Sequence, residues 1–239
     1  MDKVIVLTKE EVKKLPRLKV NSTEAILKIY NHNELLKIYI DPEYEDIKKL
    51  EYLIYEYSGK LKTKMPLAPV YIDDNFYGSA IYYFKGAKHI SYLRKIKDVE
   101  LKINKLKTLK NKLIELTSNN LYTVDLHSGN VLLTKENLDV EIIDVDRRGL
   151  EITDFFNKNL YNNVVTQYMR LILEVFFGEY HPTKSVIFNN TTYILEKHKI
   201  KPDYIEKIAN EDTSFEFTNE FLDYLKVEKK QRKILEIRF

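Results

Sequence analysis

Three polar side chains stand at a spacing suited to phosphoryl chemistry. Asp125 and Asn130 are five residues apart in Tyr122-Thr-Val-Asp-Leu-His-Ser-Gly-Asn-Val-Leu-Leu133, and Asp144 follows Asn130 by fourteen in Glu141-Ile-Ile-Asp-Val-Asp-Arg-Arg-Gly149. A carboxylate that orients a hydroxyl, a carboxamide and a second carboxylate are the groups that Mg2+ ions and a transferring phosphoryl group require. The first run reads as a loop after a long helix. Val131–Leu133 and Val140–Ile143 read as the two short strands of a hairpin. Because a hairpin folds back, this arrangement predicts that Asn130 and Asp144 converge. The chain has no cysteine, which excludes thiol nucleophiles, thiolate metal sites, iron–sulfur clusters and disulfides.

The elements that must position these groups are readable from periodicity. Ala25–Tyr30 and Glu34–Ile40 are Ile-, Leu- and Tyr-rich runs separated by Asn31-His-Asn33, which predicts a hairpin. Asp41 and Pro42 suit an N-cap and first helical position. Ile47, Leu50, Leu53, Ile54 and Tyr57 then share one helical face, closed by Gly59. Strands are predicted over Leu67–Ile72 and Phe76–Phe84, around the turn Asp73-Asp-Asn75. Residues Asp98–Leu121 form a long amphipathic helix, and helices follow over about 160–178, 202–210 and 215–226. The composition, 44% hydrophobic and 31% charged over 239 residues, is that of a globular chain. Its formal charge of +3 does not by itself point to nucleic acid. The lysines of Lys48-Lys49, of Lys102–Lys112 and of Lys229-Lys230 read as solvated faces. No apolar run approaches the roughly 18 residues of a membrane span, so the expectation is a cytoplasmic protein with no membrane or nucleic-acid partner.

Asp125-Leu-His-Ser-Gly-Asn130 resembles the D-x-H-x-G-N catalytic loop of the protein-kinase-like superfamily. The likeness is to compact bacterial or phage-type Ser/Thr kinases and to aminoglycoside and choline phosphotransferases. Ile143-Asp144-Val-Asp resembles the position of the Asp-Phe-Gly motif. The resemblance implies an α+β, two-lobed protein-kinase-like fold. Residues 1–85 would be a small antiparallel β-rich N-lobe with one helix, and residues 86–239 a reduced, mainly α-helical C-lobe. It implies Asp125 as catalytic carboxylate, and Asn130 and Asp144 as Mg2+ ligands. Lys37, in Glu34-Leu-Leu-Lys-Ile-Tyr39, would be the phosphate lysine. Glu51 is favoured over Glu56 as its helix partner. The hinge Ile81-Tyr-Tyr-Phe-Lys-Gly86 would meet adenine, with Tyr83 or Phe84 lining the pocket, and His127 would anchor the loop.

The sequence also departs from that pattern. No glycine precedes Gly59, so the nucleotide turn would be Asn21-Ser-Thr-Glu-Ala25, with Ser22, Thr23 and Ala25 presenting backbone and hydroxyl groups. Asp146 stands where the motif has glycine, as a further metal ligand or, the favoured reading, as a group that solvates the turn. The function implied is ATP- and Mg2+-dependent transfer of the γ-phosphoryl group to a hydroxyl, with a protein Ser/Thr as acceptor. The alternatives are a small-molecule acceptor, for which the acidic run Glu211–Glu220 is suited, and a pseudokinase scaffold without turnover.

Overall fold

Alternation along Glu34–Tyr39 decides how the first part of the chain is built. Successive strand residues face opposite sides of a sheet, so Leu36 and Ile38 enter one apolar cluster while Leu35, Lys37 and Tyr39 face the other way. The structure, a computed structural model, describes residues 3–19, 24–146, 149–178, 195–210 and 213–237. It is mixed α+β, and the chain divides into two units: Met1–Ala87 with Leu133–Glu151, and Lys88–Leu132 with Ile152–Phe239.

In the first unit the elements run β1 (Ile5–Leu7), α1 (Lys9–Lys14), β2 (Ala25–Ile29), β3 (Glu34–Tyr39), α2 (Tyr44–Tyr57), β4 (Ala68–Ile72) and β5 (Asn75–Tyr82). They form one five-stranded sheet in the order β1-β4-β5-β3-β2. The predicted hairpin is present, with Ala25 opposite Tyr39 and Leu27 opposite Lys37. Lys37 lies opposite Ser79 on β5. The sheet is not purely antiparallel and does not carry one helix only, as expected from the sequence. β1 pairs in parallel with β4, and α1 is a second helix, started by the reciprocal Thr8–Glu11 capping box.

Each sheet face has its own cover. Leu36, Ile38, Ala68, Val70, Ile72 and Ala80 pack with Val12 and Leu15 at the α1 side. Ala25, Tyr39, Leu50 and Phe76 pack with Ile47 and Ile54 of α2. The fully buried Leu50 and Leu53 each contribute about 1.5–3 kcal/mol of burial and set the rotation of α2. That helix begins later than Asp41-Pro42 predicts, because Asp46 accepts the Glu43 N–H at 2.9 Å and makes Glu43 the N-cap. Gly59, at φ 74°, follows the C-cap Ser58 as expected.

In the second unit α3 (Val99–Ser118) starts at Asp98, whose carboxylate accepts the Leu101 N–H at 3.0 Å. It ends before the predicted Leu121, because Asn119 caps it and Asn120 turns at φ 56°. Asn157 caps α4 (Lys158–Phe177), and Gly178 at φ 87° follows it. Buried Tyr168 of α4 donates to the Leu106 carbonyl of α3 at 2.9 Å. The later helices are Pro202–Ala209 and Phe215–Ile237, the second longer than predicted. Lys110 and Lys112 are buried rather than solvated. Lys110 reaches Asn219 at 2.7 Å, and Lys107 and Lys226 pair with Asp223 and Glu100. Part of the lysine run is therefore used between helices. Among the described residues no helix is long and apolar enough to cross a membrane.

Candidate functional site

The candidate residues fall into two constellations, one in each unit. In the first unit, β3 presents Lys37 between Leu35 and Tyr39 on the α2 side of the sheet. The Lys37 ammonium pairs with Asp144 Oδ1 and, at 2.6 Å, with Asp146 Oδ1. The other oxygen of Asp146 accepts from the Ser79 hydroxyl at 2.7 Å and from the Tyr39 phenol at 2.8 Å. Two strands, β3 and β5, thus converge on one carboxylate that is only 2% exposed.

Burial opposes charge on all three titratable partners, and proximity decides the outcome. Lys37 is desolvated, yet Asp146 and then Asp144 more than offset this and hold its ammonium above the usual lysine range. Burial likewise works against the Asp146 carboxylate, and Lys37 outweighs it, with the Ser79 and Tyr39 hydrogen bonds adding to the downward shift. The Tyr39 phenol is pushed up, by burial first and by Asp146 second.

Glu51 does not take the place expected for it. Lys37 has no ion pair with Glu51 among the described residues; its carboxylates are Asp144 and Asp146. The rotation of α2 fixed by Leu50 and Leu53 puts Glu51 on one flank and Lys49 on the other. Glu51 acts on Tyr71, whose phenol is raised by burial and then by that charge. Lys49 donates to the Leu150 carbonyl, and burial lowers its pKa. Asp146, read from sequence as a group that solvates a turn, is buried and fully hydrogen-bonded. A signal for it existed. A lysine flanked at period two by the large apolar side chains of Leu35 and Tyr39 sits on a buried face, and a buried ammonium requires a counter-charge.

The remaining first-unit candidates are placed as follows. Ser22 and Thr23 lie outside the described residues. Ala25 is buried in β2 against Tyr39, Leu50 and Phe76. The Tyr83 N–H is donated to the Asn33 carbonyl at 2.7 Å, and the Phe84 carbonyl accepts from Ala87 at 3.0 Å. The Phe84 ring stacks on Tyr82, with centroids 6.3 Å apart.

In the second unit, the loop after the strand Leu121–Thr123 gathers Asp125, His127 and Asn130. The Asn130 carboxamide donates to the Asp125 carbonyl at 2.9 Å and, more weakly, to its carboxylate at 3.4 Å. His127 Nδ1 accepts the Gly129 N–H at 3.0 Å, which leaves Nε2 as the protonated nitrogen, 3.5 Å from Asp125 Oδ2. A Cβ on Gly129 would meet the His127 ring at 2.6 Å, so glycine permits this fold-back. Sequence reading missed Gln167 of α4. Its side chain accepts the Leu126 N–H at 2.6 Å and donates to the Val124 carbonyl at 2.8 Å, clamping the backbone on both sides of Asp125.

Asp144 Oδ2 in the first unit and Asn130 Oδ1 in the second are each hard oxygens of the kind Mg2+ accepts, with no described hydrogen bond. Among the described residues no three carboxylate or imidazole groups gather to hold a metal alone. Mg2+ characteristically uses one or two protein oxygens together with substrate phosphates and water. In comparisons with known proteins, no family model matches the sequence and no curated protein matches it.

Proposed function

We propose that this protein is an ATP- and Mg2+-dependent phosphotransferase with a protein-kinase-like fold, moving the γ-phosphoryl group to a hydroxyl, with a protein Ser/Thr as acceptor. The observation that carries the reading is the ion pair between Lys37 and Asp144, 107 residues apart in the chain. These are the two charges that the resemblance assigns to the phosphates and to the metal. The loop supports it independently, since Asn130 and His127 both bear on the carboxylate of Asp125.

In this reading Lys37 binds the α- and β-phosphates. Asp144 and Asn130 are the residues that would hold Mg2+, which when bound neutralises charge on the phosphates. Asp125 accepts the proton of the attacking hydroxyl as its oxygen bonds to the γ-phosphorus. The bond from that phosphorus to the β–γ bridging oxygen breaks, and ADP leaves with the electron pair. Asn130 and His127 orient Asp125, and Gln167 fixes the backbone on either side of it.

The test is transfer of label from γ-labelled ATP with Mg2+ into a host lysate, with wild type and Asp125→Ala side by side. Label on a protein band that is lost in the variant supports the proposal. Label in the small-molecule fraction moves the acceptor to a metabolite. No transfer by a folded protein overturns the activity. A second reading, nucleotide binding without turnover, is favoured by one observation: Lys37 is engaged by two carboxylates at once.

A further inference from the structure

The two carboxylates on Lys37 differ in kind. Asp146 is buried, meets Lys37 through Oδ1 at 2.6 Å, and has Oδ2 fixed by Ser79 and Tyr39. Asp144 keeps a third of its side chain exposed, meets Lys37 through Oδ1, and has no described hydrogen bond on Oδ2. A buried carboxylate with three donors cannot release its ammonium without leaving an uncompensated charge in the protein interior. A carboxylate with a third of its side chain exposed can, because water solvates what it gives up.

We propose that Asp146 is the fixed anchor of Lys37 and Asp144 its exchangeable partner, so that an incoming phosphate anion takes Lys37 over from Asp144 while Asp146 keeps the ammonium in place. The phosphate identity of the anion rests on the function proposed above; the anchor does not. Asp146 is thus a positioning residue that acts through Lys37. The carboxylate that places the lysine comes from the segment bearing Asp144 itself, not from α2. On that helix the cationic Lys49 feels the charge of Asp146. Exchange also frees the Asp144 oxygen that Lys37 occupied at the moment a metal-bearing ligand arrives.

The test reads Lys37 directly. The full chain and the variants D146N and D144N are acetylated with N-hydroxysuccinimidyl acetate at pH 8.5, and modification of Lys37 is followed by mass spectrometry. Only the neutral amine reacts, and each unit by which its pKa falls raises that fraction about tenfold. Lys37 in D146N is expected to react about tenfold faster than in wild type, and in D144N by a clearly smaller factor. Equal rates in D146N and wild type, or a larger rise in D144N, overturn the anchor. If D146N loses cooperative melting, Ser79→Ala and Tyr39→Phe serve instead. Each removes one donor to Asp146 Oδ2 and should raise Lys37 reactivity, and no rise in either overturns the anchor.

ADP with Mg2+ is then added to wild type. Slower acetylation of Lys37 supports the exchange. Unchanged acetylation while calorimetry shows ADP bound overturns the exchange alone, whereas no ADP binding by calorimetry overturns the nucleotide reading and the exchange with it; the anchor stands in both cases.

Discussion

Gly149 lies against the backbone of Asp144, and a Cβ on Gly149 would overlap the Asp144 carbonyl oxygen. The Gly149 N–H is donated to the Asp146 carbonyl at 3.0 Å, and Asp144 itself sits at φ 62°. Aspartate is among the few non-glycine residues that visit that region. Gly149 is thus tied to the backbone carbonyls of both partners of Lys37.

Gly149→Ala is expected to destabilise the fold by about 1–3 kcal/mol, as overpacking against fixed atoms does. It should also weaken Mg2+-ADP binding, because Asp144 must move to relieve the overlap. Urea unfolding midpoints and a nucleotide titration check this. An alanine variant as stable as wild type would show that the turn is not constrained as described.

Gln167 offers a way to perturb the loop without touching its polar side chains. Replacement by leucine leaves the part-buried Leu126 N–H and the Val124 carbonyl without their partner. The cost is about 1 kcal/mol for each, toward the low end for an unsatisfied group. If the proposed function holds, phosphoryl transfer should fall by more than tenfold while nucleotide affinity stays within about twofold, since in that mechanism the loop positions the acceptor side of the reaction. Loss of nucleotide affinity in parallel with rate would argue that the clamp supports the whole unit instead.

Local pattern made much of the fold readable in the sequence, and long-range pairing explains most of what was not. The β2–β3 hairpin, α2, α3 and α4 announce themselves through periodicity and caps, all within about 20 residues. β1 is three residues long and becomes a strand only because β4, more than 60 residues later, pairs with it. The capping box Thr8-x-x-Glu11 that starts α1 was visible but sits before a helix of only six residues. At the site, Lys37, Asp125, Asn130 and Asp144 stand out as types at a spacing. Asp146 did not, because its partners come from two strands 67 to 109 residues away. Position in the middle of α2 favours Glu51, whereas the rotation of that helix depends on which of its apolar residues reach the sheet.

The Asp146 network also sets a pH window. The Asp146 pKa is lowered in the folded protein, so its contribution is complete above the ordinary carboxylate range, about pH 4, and is lost as pH falls through the native value. Lys37 is raised from 10.5, so its contribution is complete below that pH and is lost only as pH rises through the folded value. The network is therefore intact between about pH 5 and 9. Within that window D146N should be less stable than wild type by about 3 kcal/mol. The gap between their urea midpoints should narrow toward pH 3, and a gap independent of pH would mean that the loss in D146N is one of packing and not of charge.

The proposed function makes a prediction about metal from the charges around Lys37. One ammonium stands between two carboxylates, so the cluster is negative by one charge before any ligand arrives. A free nucleotide polyphosphate would add like charge beside it, whereas the Mg2+ complex brings its own compensation and finds a hard oxygen on Asp144. Chelation of Mg2+ is expected to weaken ADP binding at least tenfold, about 1.4 kcal/mol. In D144N the dependence on Mg2+ should largely disappear, because the carboxylate that favours the metal complex is gone and the cluster is neutral. Calorimetric titration of both proteins with and without chelator reads this directly. ADP affinity in wild type that ignores the chelator would remove Asp144 from the metal and leave it as a partner of Lys37 alone.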